Sequence, residues 1–383
     1  MKNSTKILIG LLIIVVIGII GFSAGPKKET KTIRIGVLAP LSGVGASLGG
    51  CMQEGVEMAQ AEINAAGGIN GKQVELVIED DQCNAKVGLT AYQKLQASGI
   101  NYFVGPLCGV VRVPVLAAAE HNKTLLMTTG LALVTTPETK SYTYNVLPTA
   151  WDVAQRITEF GASRGYKRIS VLYADDDYGK ENQLAIEEYA SAHNITIPTE
   201  EKYTKGATDL RTQILKLKSD ASDAVLVAAY GPDYAVFLKQ AKELGLTKQI
   251  LGVSSIQVPD AAKMDKETGQ TVYYSYPAVS NSPSVVAFGE QYRKIKPAAG
   301  AFLPMYIGSG HDALTLLAQA LKSCTNEDVA CVNTALSNTQ NYNGANGLIS
   351  FGARGNNTAG SSIEIRVLQQ GEFKRNHSTR IQN

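Results

Sequence analysis

The glycines of Gly43-Val-Gly45-Ala-Ser-Leu-Gly49 have the GxGxxxG spacing of a loop that brings backbone amides to a pyrophosphate. They follow the first β-branched run, Ile33 to Ala39, and Glu79 ends the next such run, near where a carboxylate would meet a ribose hydroxyl. That chemistry would make the chain a nicotinamide-dependent enzyme. Pro40 and Leu41 argue against it, because they lengthen the turn that must hold the phosphates tightly. Asp175-Asp176-Asp177 offers the oxygen-rich character of a calcium loop, although carboxylates in a polar turn read more simply as a solvated loop. The histidines, His121, His193, His311 and His377, are far apart and fit no metal-ligand spacing. There is no Ser-His-Asp order, HExxH, P-loop or GxSxG, so hydrolase chemistry has no residues to rest on. The expectation is a non-enzyme with no cofactor and no resident metal.

Cys51, Cys83, Cys108, Cys324 and Cys331 form no CxxC and no zinc-finger pair. In an oxidising compartment the economical pairing is Cys83–Cys108 and Cys324–Cys331, with Cys51 free. Buried thiols throughout are the alternative, and spacing alone leaves the connectivity open. Residues 1–25 speak for the oxidising compartment. Lys2 and Lys6 precede sixteen apolar or Gly residues, Ile7 to Phe22, followed by Ser23-Ala24-Gly25. That is the layout of an export signal. The uncharged stretch Ile7 to Gly25 is 19 residues, just enough for a helix to span a bilayer at about 1.5 Å per residue. A cleaved signal and an uncleaved membrane anchor both put the remainder outside the cytoplasm, in the periplasm or at the cell surface. The 36 Lys and Arg against 34 Asp and Glu balance once Lys2 and Lys6 are set aside, so nothing favours nucleic acid as a partner. With 44% hydrophobic and 18% charged residues, the 383-residue chain has ample core for one to three domains.

The elements that must position these residues alternate. A strand over 33–39 leads to a helix with the stripe Met52, Val56, Ala59 and Ile63, which stops at Gly67-Gly68. A strand over 73–79, a helix capped by Asn84, and short strands over 100–104 and 123–128 follow. The pattern restarts after Pro148 with helices over 151–164, 178–193, 207–218 and 233–244 between strands over 168–174, 195–203, 223–229 and 249–253. Helices near 284–296, 309–321 and 327–338, then strands over 348–351 and 363–368, are too few for a third domain and must complete the first two. The pattern is an α/β chain of two Rossmann-like lobes with parallel-rich sheets. Ligands of such sheets bind outside the carboxyl ends of the strands, which here carry Ser42-Gly43, Gly109, Thr129-Gly130, Asp175 to Tyr178, Tyr230 and Ser254-Ser255.

Six stretches then resemble, in order, the type I periplasmic solute-binding proteins of the branched-chain amino acid (Leu/Ile/Val) ABC transporters. They are Ile33-Arg-Ile-Gly-Val-Leu-Ala-Pro-Leu-Ser-Gly43, Glu62-Ile-Asn-Ala-Ala-Gly-Gly-Ile-Asn-Gly71, Glu79-Asp-Asp-Gln-Cys-Asn84, Gly105-Pro-Leu-Cys-Gly109, Ala174-Asp-Asp-Asp-Tyr-Gly179 and Tyr342-Asn-Gly-Ala-Asn-Gly347. Each alone is a weak signal; six in sequence make a specific one, running from about Ile33 to Phe373. The resemblance implies three crossovers, near Pro148, Pro277 and Asn346, that form a hinge. Lobe one would then be residues 32–148 plus 278–345, and lobe two 149–277 plus 346–383. It also implies a Cys83–Cys108 disulfide, a small-molecule solute held by hinge closure, and membrane permease and ATPase partners. A sensory receptor of the same fold is the alternative.

The family's amino-acid pocket carries over only in part. Gly109 stands where a carboxylate-binding Ser is expected, and in the loop Thr129-Gly130-Leu131-Ala132-Leu133 the apolar Leu133 replaces a Thr. Ser254 falls where a Glu would meet the ligand ammonium, and Leu48 where an aromatic would cover its side chain. Tyr178 and Tyr230 are retained. Arg112, in the first turn of the helix after Cys108, could reach a ligand acid; the alternative is that it points to solvent or pairs with a surface carboxylate. Tyr306 precedes a hinge-lining helix, in which His311 reads as a packed residue. The expected solute is a small amino acid-like molecule or a carboxylate, and the residues hint at a carboxylic acid or neutral amphiphile with an apolar or aromatic body. An ordinary zwitterionic amino acid is disfavoured, because an ammonium buried without a carboxylate costs several kcal/mol.

Overall fold

The computed structural model describes residues 32–131, 142–277, 282–299, 303–352 and 363–376. The expectations for residues 1–25, Leu133 and His377 lie outside the described residues. Among the described residues no helix is long and apolar enough to cross a membrane.

Strands β1 (Thr32–Ala39), β2 (Gln73–Asp80), β3 (Tyr102–Val104), β4 (Leu125–Thr128) and β5 (Thr143–Asn145) form a parallel sheet in the order β2-β1-β3-β4-β5. Every residue of β3, β4 and β5 is buried, as strands covered by helices on both faces require. The crossovers are α1 (Ala46–Ala65), α2 (Ala85–Ala97) and α3 (Gly109–Asn122). The Asn84 side chain accepts from the amides of Lys86 and Val87 and so starts α2 where the sequence predicts.

The second lobe repeats the plan with α4 (Ala150–Ser163), β6 (Ile169–Ala174), α5 (Asp177–Ala192), β7 (Glu200–Tyr203), α6 (Arg211–Ser219), β8 (Ala224–Ala228), α7 (Gly231–Glu243), β9 (Gln249–Gly252), α8 (Pro259–Thr268) and β10 (Thr271–Pro277). Thr149 opens α4 with a capping box: its hydroxyl accepts from the Asp152 amide, and Asp152 accepts from the Thr149 amide.

Helices α9 (Pro283–Ile295), α10 (Met305–Lys322) and α11 (Val329–Ser337) return to the first lobe. A Cβ on Gly55 of α1 would lie 1.9 Å from the Ile307 carbonyl oxygen, so α1 and α10 cross with their backbones in contact. The chain then forms a hairpin, β11 (Tyr342–Gly344) and β12 (Gly347–Ile349), closed by a two-residue turn. The strand expected over 348–351 is this shorter hairpin arm. It stays with the first lobe, where Phe351 packs 5.0 Å from the Tyr144 ring and donates its amide to Thr339 O. Strands β13 (Ile363–Gln369) and β14 (Glu372–Arg375) then extend the second sheet antiparallel to β10, giving β14-β13-β10-β9-β8-β6-β7.

Both disulfides are formed. Cys83–Cys108, with Cα atoms 5.5 Å apart, ties the end of β2 to the start of α3. Cys324–Cys331 joins α10 to α11, and Cys51 is free.

Candidate functional site

The turns that follow the strands of both sheets converge on a cavity of about 20 Å³ between the lobes. Its lining comprises Leu48, Leu107, Gly109, Leu131 and Tyr306 from the first lobe and Tyr178, Tyr230 and Ser255 from the second. In its present form it holds about one water, so a larger solute requires the walls to part. Leu48 sits in the first turn of α1, Gly109 opens α3, and Tyr306 is the second residue of α10. Tyr178 is the second residue of α5, while Tyr230 is the residue that caps α7.

The tyrosines are held from behind. The Tyr178 and Tyr230 ring centroids are 5.2 Å apart, tilted by 46°. The Tyr230 hydroxyl donates to Asp176 Oδ2 at 2.7 Å, and Asp176 Oδ1 accepts from the Gly179 amide at 2.9 Å. The Tyr178 hydroxyl donates to Ser255 Oγ at 3.3 Å, and the Ser255 hydroxyl in turn donates to the Ala229 carbonyl at 2.5 Å. Burial pushes the Tyr178 phenol up to about 12 and those of Tyr230 and Tyr306 well above their usual range, so these rings are neutral at any working pH. Among the described residues, no charged side chain lines the cavity.

Of the residues picked from sequence, the structure brings Leu48, Gly109, Leu131, Tyr178, Tyr230 and Tyr306 together. Ser42 is exposed and hydrogen-bonds Asp80 at 2.5 Å, away from the cavity. Thr129 is fully buried with its hydroxyl on Met52 Sδ, and Gly130 packs against the Leu107 carbonyl. Ser254 is buried with its hydroxyl unpartnered, and its neighbour Ser255 is the one that lines the cavity. Arg112 does not itself line the cavity but stands behind the Leu131 wall. It is 5% exposed, its Nη1 donates to the Leu131 carbonyl at 3.2 Å, and its Nε has no partner. Burial pulls its pKa down to about 10 against the opposing attraction of Glu181 on α5 in the other lobe. Leu107 and Ser255 were not picked. Ser255 belongs to the strand-end pair Ser254-Ser255, and Leu107 lies in the turn just after β3, so strand-end position was the signal that could have found them.

The other chemistry weighed from sequence is accounted for by packing. A Cβ on Gly49 would lie 2.0 Å from the Pro40 carbonyl oxygen, so that glycine serves the close approach of α1 to the β1 turn. Glu79 pairs with Lys94 at 2.6 Å. In the Asp175–Asp177 run, Asp175 pairs with Lys202 and Asp176 caps α5, so two of the three carboxylates have protein partners. His311 is packed, as expected, and its Nε2 lies 3.1 Å from Glu62 Oε2.

A cleft between two α/β lobes, walled by strand-end turns, defines a solute-binding protein. A family model described as periplasmic binding protein matches residues 32–372, and the chain belongs to that family. The leucine-, isoleucine-, valine-, threonine- and alanine-binding protein of Pseudomonas aeruginosa is 26% identical over 351 residues, covering 88% of this chain and 89% of that protein. Among solved structures, the branched-chain amino acid transporter substrate-binding protein LivJ from Streptococcus pneumoniae, in complex with isoleucine, superimposes with a TM-score of 0.80 at 24% identity. It covers 90% of this chain and 98% of that one. A solute-binding protein of an ABC transporter from R. palustris, in complex with benzoate, also has a TM-score of 0.80, at 16% identity, covering 90% and 95%. These two structures share the fold. The family is one of solute binders, not of enzymes.

Proposed function

We propose that the chain is the extracytoplasmic solute-binding component of an ABC transporter, closing its lobes on a small carboxylate with an apolar or aromatic body and delivering it to a permease and its ATPase. In this reading residues 32–148 with 278–345 and the β12 arm through Phe351 act as one lobe, and 149–277 with the strands from Ile363 onward as the other. Residues 1–25 are the export signal or an uncleaved anchor, and the pocket residues are those of the cavity wall.

The observation that carries the choice of solute is the neutral lining. An α-amino acid brings an ammonium group, and the lining described offers it three phenols, a serine and apolar groups. Asp176, the carboxylate behind Tyr230, already accepts hydrogen bonds on both oxygens. Burying the ammonium without a carboxylate costs several kcal/mol. A carboxylate end needs only donors, and the α3 helix starts at the Gly109 wall with no side chain capping it.

A thermal-shift panel on protein stripped of solute by unfolding and refolding tests this. A ligand at a hundred times its dissociation constant adds about 2.7 kcal/mol. 4-Methylpentanoate or benzoate is expected to raise the midpoint by a few degrees, while leucine, isoleucine and valine leave it unchanged. A response to leucine would overturn the choice of solute and keep the solute-binding role, whereas silence across acids, amino acids and short amides would overturn the site.

A further inference from the structure

Lys205 lies on the turn between β7 and α6 in the second lobe, and its Nζ donates to the Cys83 carbonyl of the first lobe at 2.8 Å. The same ammonium sits 5.3 Å from the centre of the Tyr230 ring, one wall of the cavity. Asp176, Asp233 and Asp81 all attract it, the first two from its own lobe and the third from the opposite one. Both ends of this contact are held rigidly. On the second lobe, Asp233 accepts from the Tyr203 hydroxyl at 2.8 Å and from the Gly206 amide at 3.2 Å, which pins the turn on either side of Lys205. Gly206 has φ +78°, and a Cβ there would lie 2.9 Å from Val44 Cγ1 of the first lobe, so the turn is pressed against its counterpart. On the first lobe, the Cys83 amide donates to Asp81 Oδ1 at 2.8 Å and its sulfur is bonded to Cys108, next to Gly109 of the cavity wall. Gln82 and Cys83 both have φ +52°, a left-handed conformation that non-glycine residues adopt only when their surroundings impose it.

We propose that Lys205 is the positioning residue of the closed cleft, joining the Tyr230 wall of lobe two to the disulfide-bonded turn that carries the Gly109 wall of lobe one. A solute pressing on Tyr230 and Gly109 is thereby held by a bridge that does not touch it, and the strength of that bridge sets how long the lobes stay together. The ammonium is suited to this: it meets a carbonyl on one lobe and a ring face on the other, in the field of carboxylates from both lobes, a combination that a neutral side chain cannot use.

Hydrogen–deuterium exchange on the full chain, with no added solute, tests the assignment in wild type, Lys205→Met and Lys205→Arg. Exchange at Gln82–Asn84 and Leu107–Val111 is expected to rise about tenfold in Lys205→Met, the equivalent of about 1.4 kcal/mol, while the Ala224–Ala228 amides of β8 stay at wild-type rates. Lys205→Arg, which keeps the charge, is expected to restore wild-type exchange in both turns. Unchanged exchange in Lys205→Met would overturn the proposal, and so would a Lys205→Arg variant exchanging as fast as Lys205→Met, since a packing role alone would not distinguish charge. Should β8 loosen in Lys205→Met, Lys205→Gln carries the same comparison. This readout does not depend on which solute the cleft takes.

Discussion

Tyr230 does two separable jobs. Its ring is a cavity wall 5.2 Å from that of Tyr178, and its hydroxyl occupies Asp176 Oδ2. Removing the ring takes away apolar contact and leaves a hole, whereas removing only the hydroxyl frees one oxygen of a carboxylate that still caps α5. Tyr230→Ala is therefore expected to weaken 4-methylpentanoate binding more than tenfold by calorimetric titration, and Tyr230→Phe only a few-fold. Equal losses would place the energy in the Asp176 bond instead. Much of this wall was legible in the sequence, because a tyrosine placed just after a buried strand in a parallel sheet has little choice but to face the cleft. The serine pair shows where legibility stopped. A 3-10 turn spans Ser254–Ile256, and neither strand alternation nor helical periodicity says which of two adjacent serines faces inward at such a turn. The surroundings of Arg112 were out of reach for another reason: the Leu131 carbonyl and Glu181 lie 19 and 69 positions further along the chain, and nothing local announces them.

Helices and strands with strong period and capping were readable from the chain. Asn84 and Thr149 start helices where their side-chain chemistry requires. By contrast, α8 and β10 were not read, since α8 buries only Ala261, Asp265 and Thr268 and so shows no apolar stripe. Three-residue β5 is too short to show any alternation. The joint between α1 and α10 is also beyond local pattern, and it carries a titratable contact. His311 on α10 meets Glu62 of α1 at 3.1 Å and lies 3.7 Å from Asp312, while Gln291 of α9 donates to the other Glu62 oxygen at 2.7 Å. Burial alone would lower its pKa, but Asp312 and Glu62 outweigh it and push the ring up to about 9. The folded value lies above the ordinary 6.5, so the contribution of the charged ring is whole below about pH 6.5 and is lost as pH rises through 9. Thermal midpoints measured from pH 6 to 10 should fall across that window, and the fall should flatten in His311→Gln. A wild-type profile level between pH 6.5 and 9 would remove the ion pair from the joint.

At the scale of the whole molecule, the two lobes are assembled from the chain in different ways. The central strands of the second sheet, β6 to β9, come from the continuous stretch 169–252. The first lobe instead waits for α10, whose Ile307 meets Gly55 of α1 across roughly 250 intervening residues. Pulse-labelled hydrogen exchange during refolding should accordingly protect β6, β8 and β9 before the amides of α1. Simultaneous protection would mean that the lobes condense as one unit. The same connectivity bears on the chain while it is still being made. Until the last quarter of the chain has been synthesised, Met52, Val56 and Ala59 of α1 have no partner helix to cover them, so the first lobe stays open while the strands of the second can already pair. The late return of α10 would then act as a timer, delaying the compact state of the first lobe until synthesis is nearly complete.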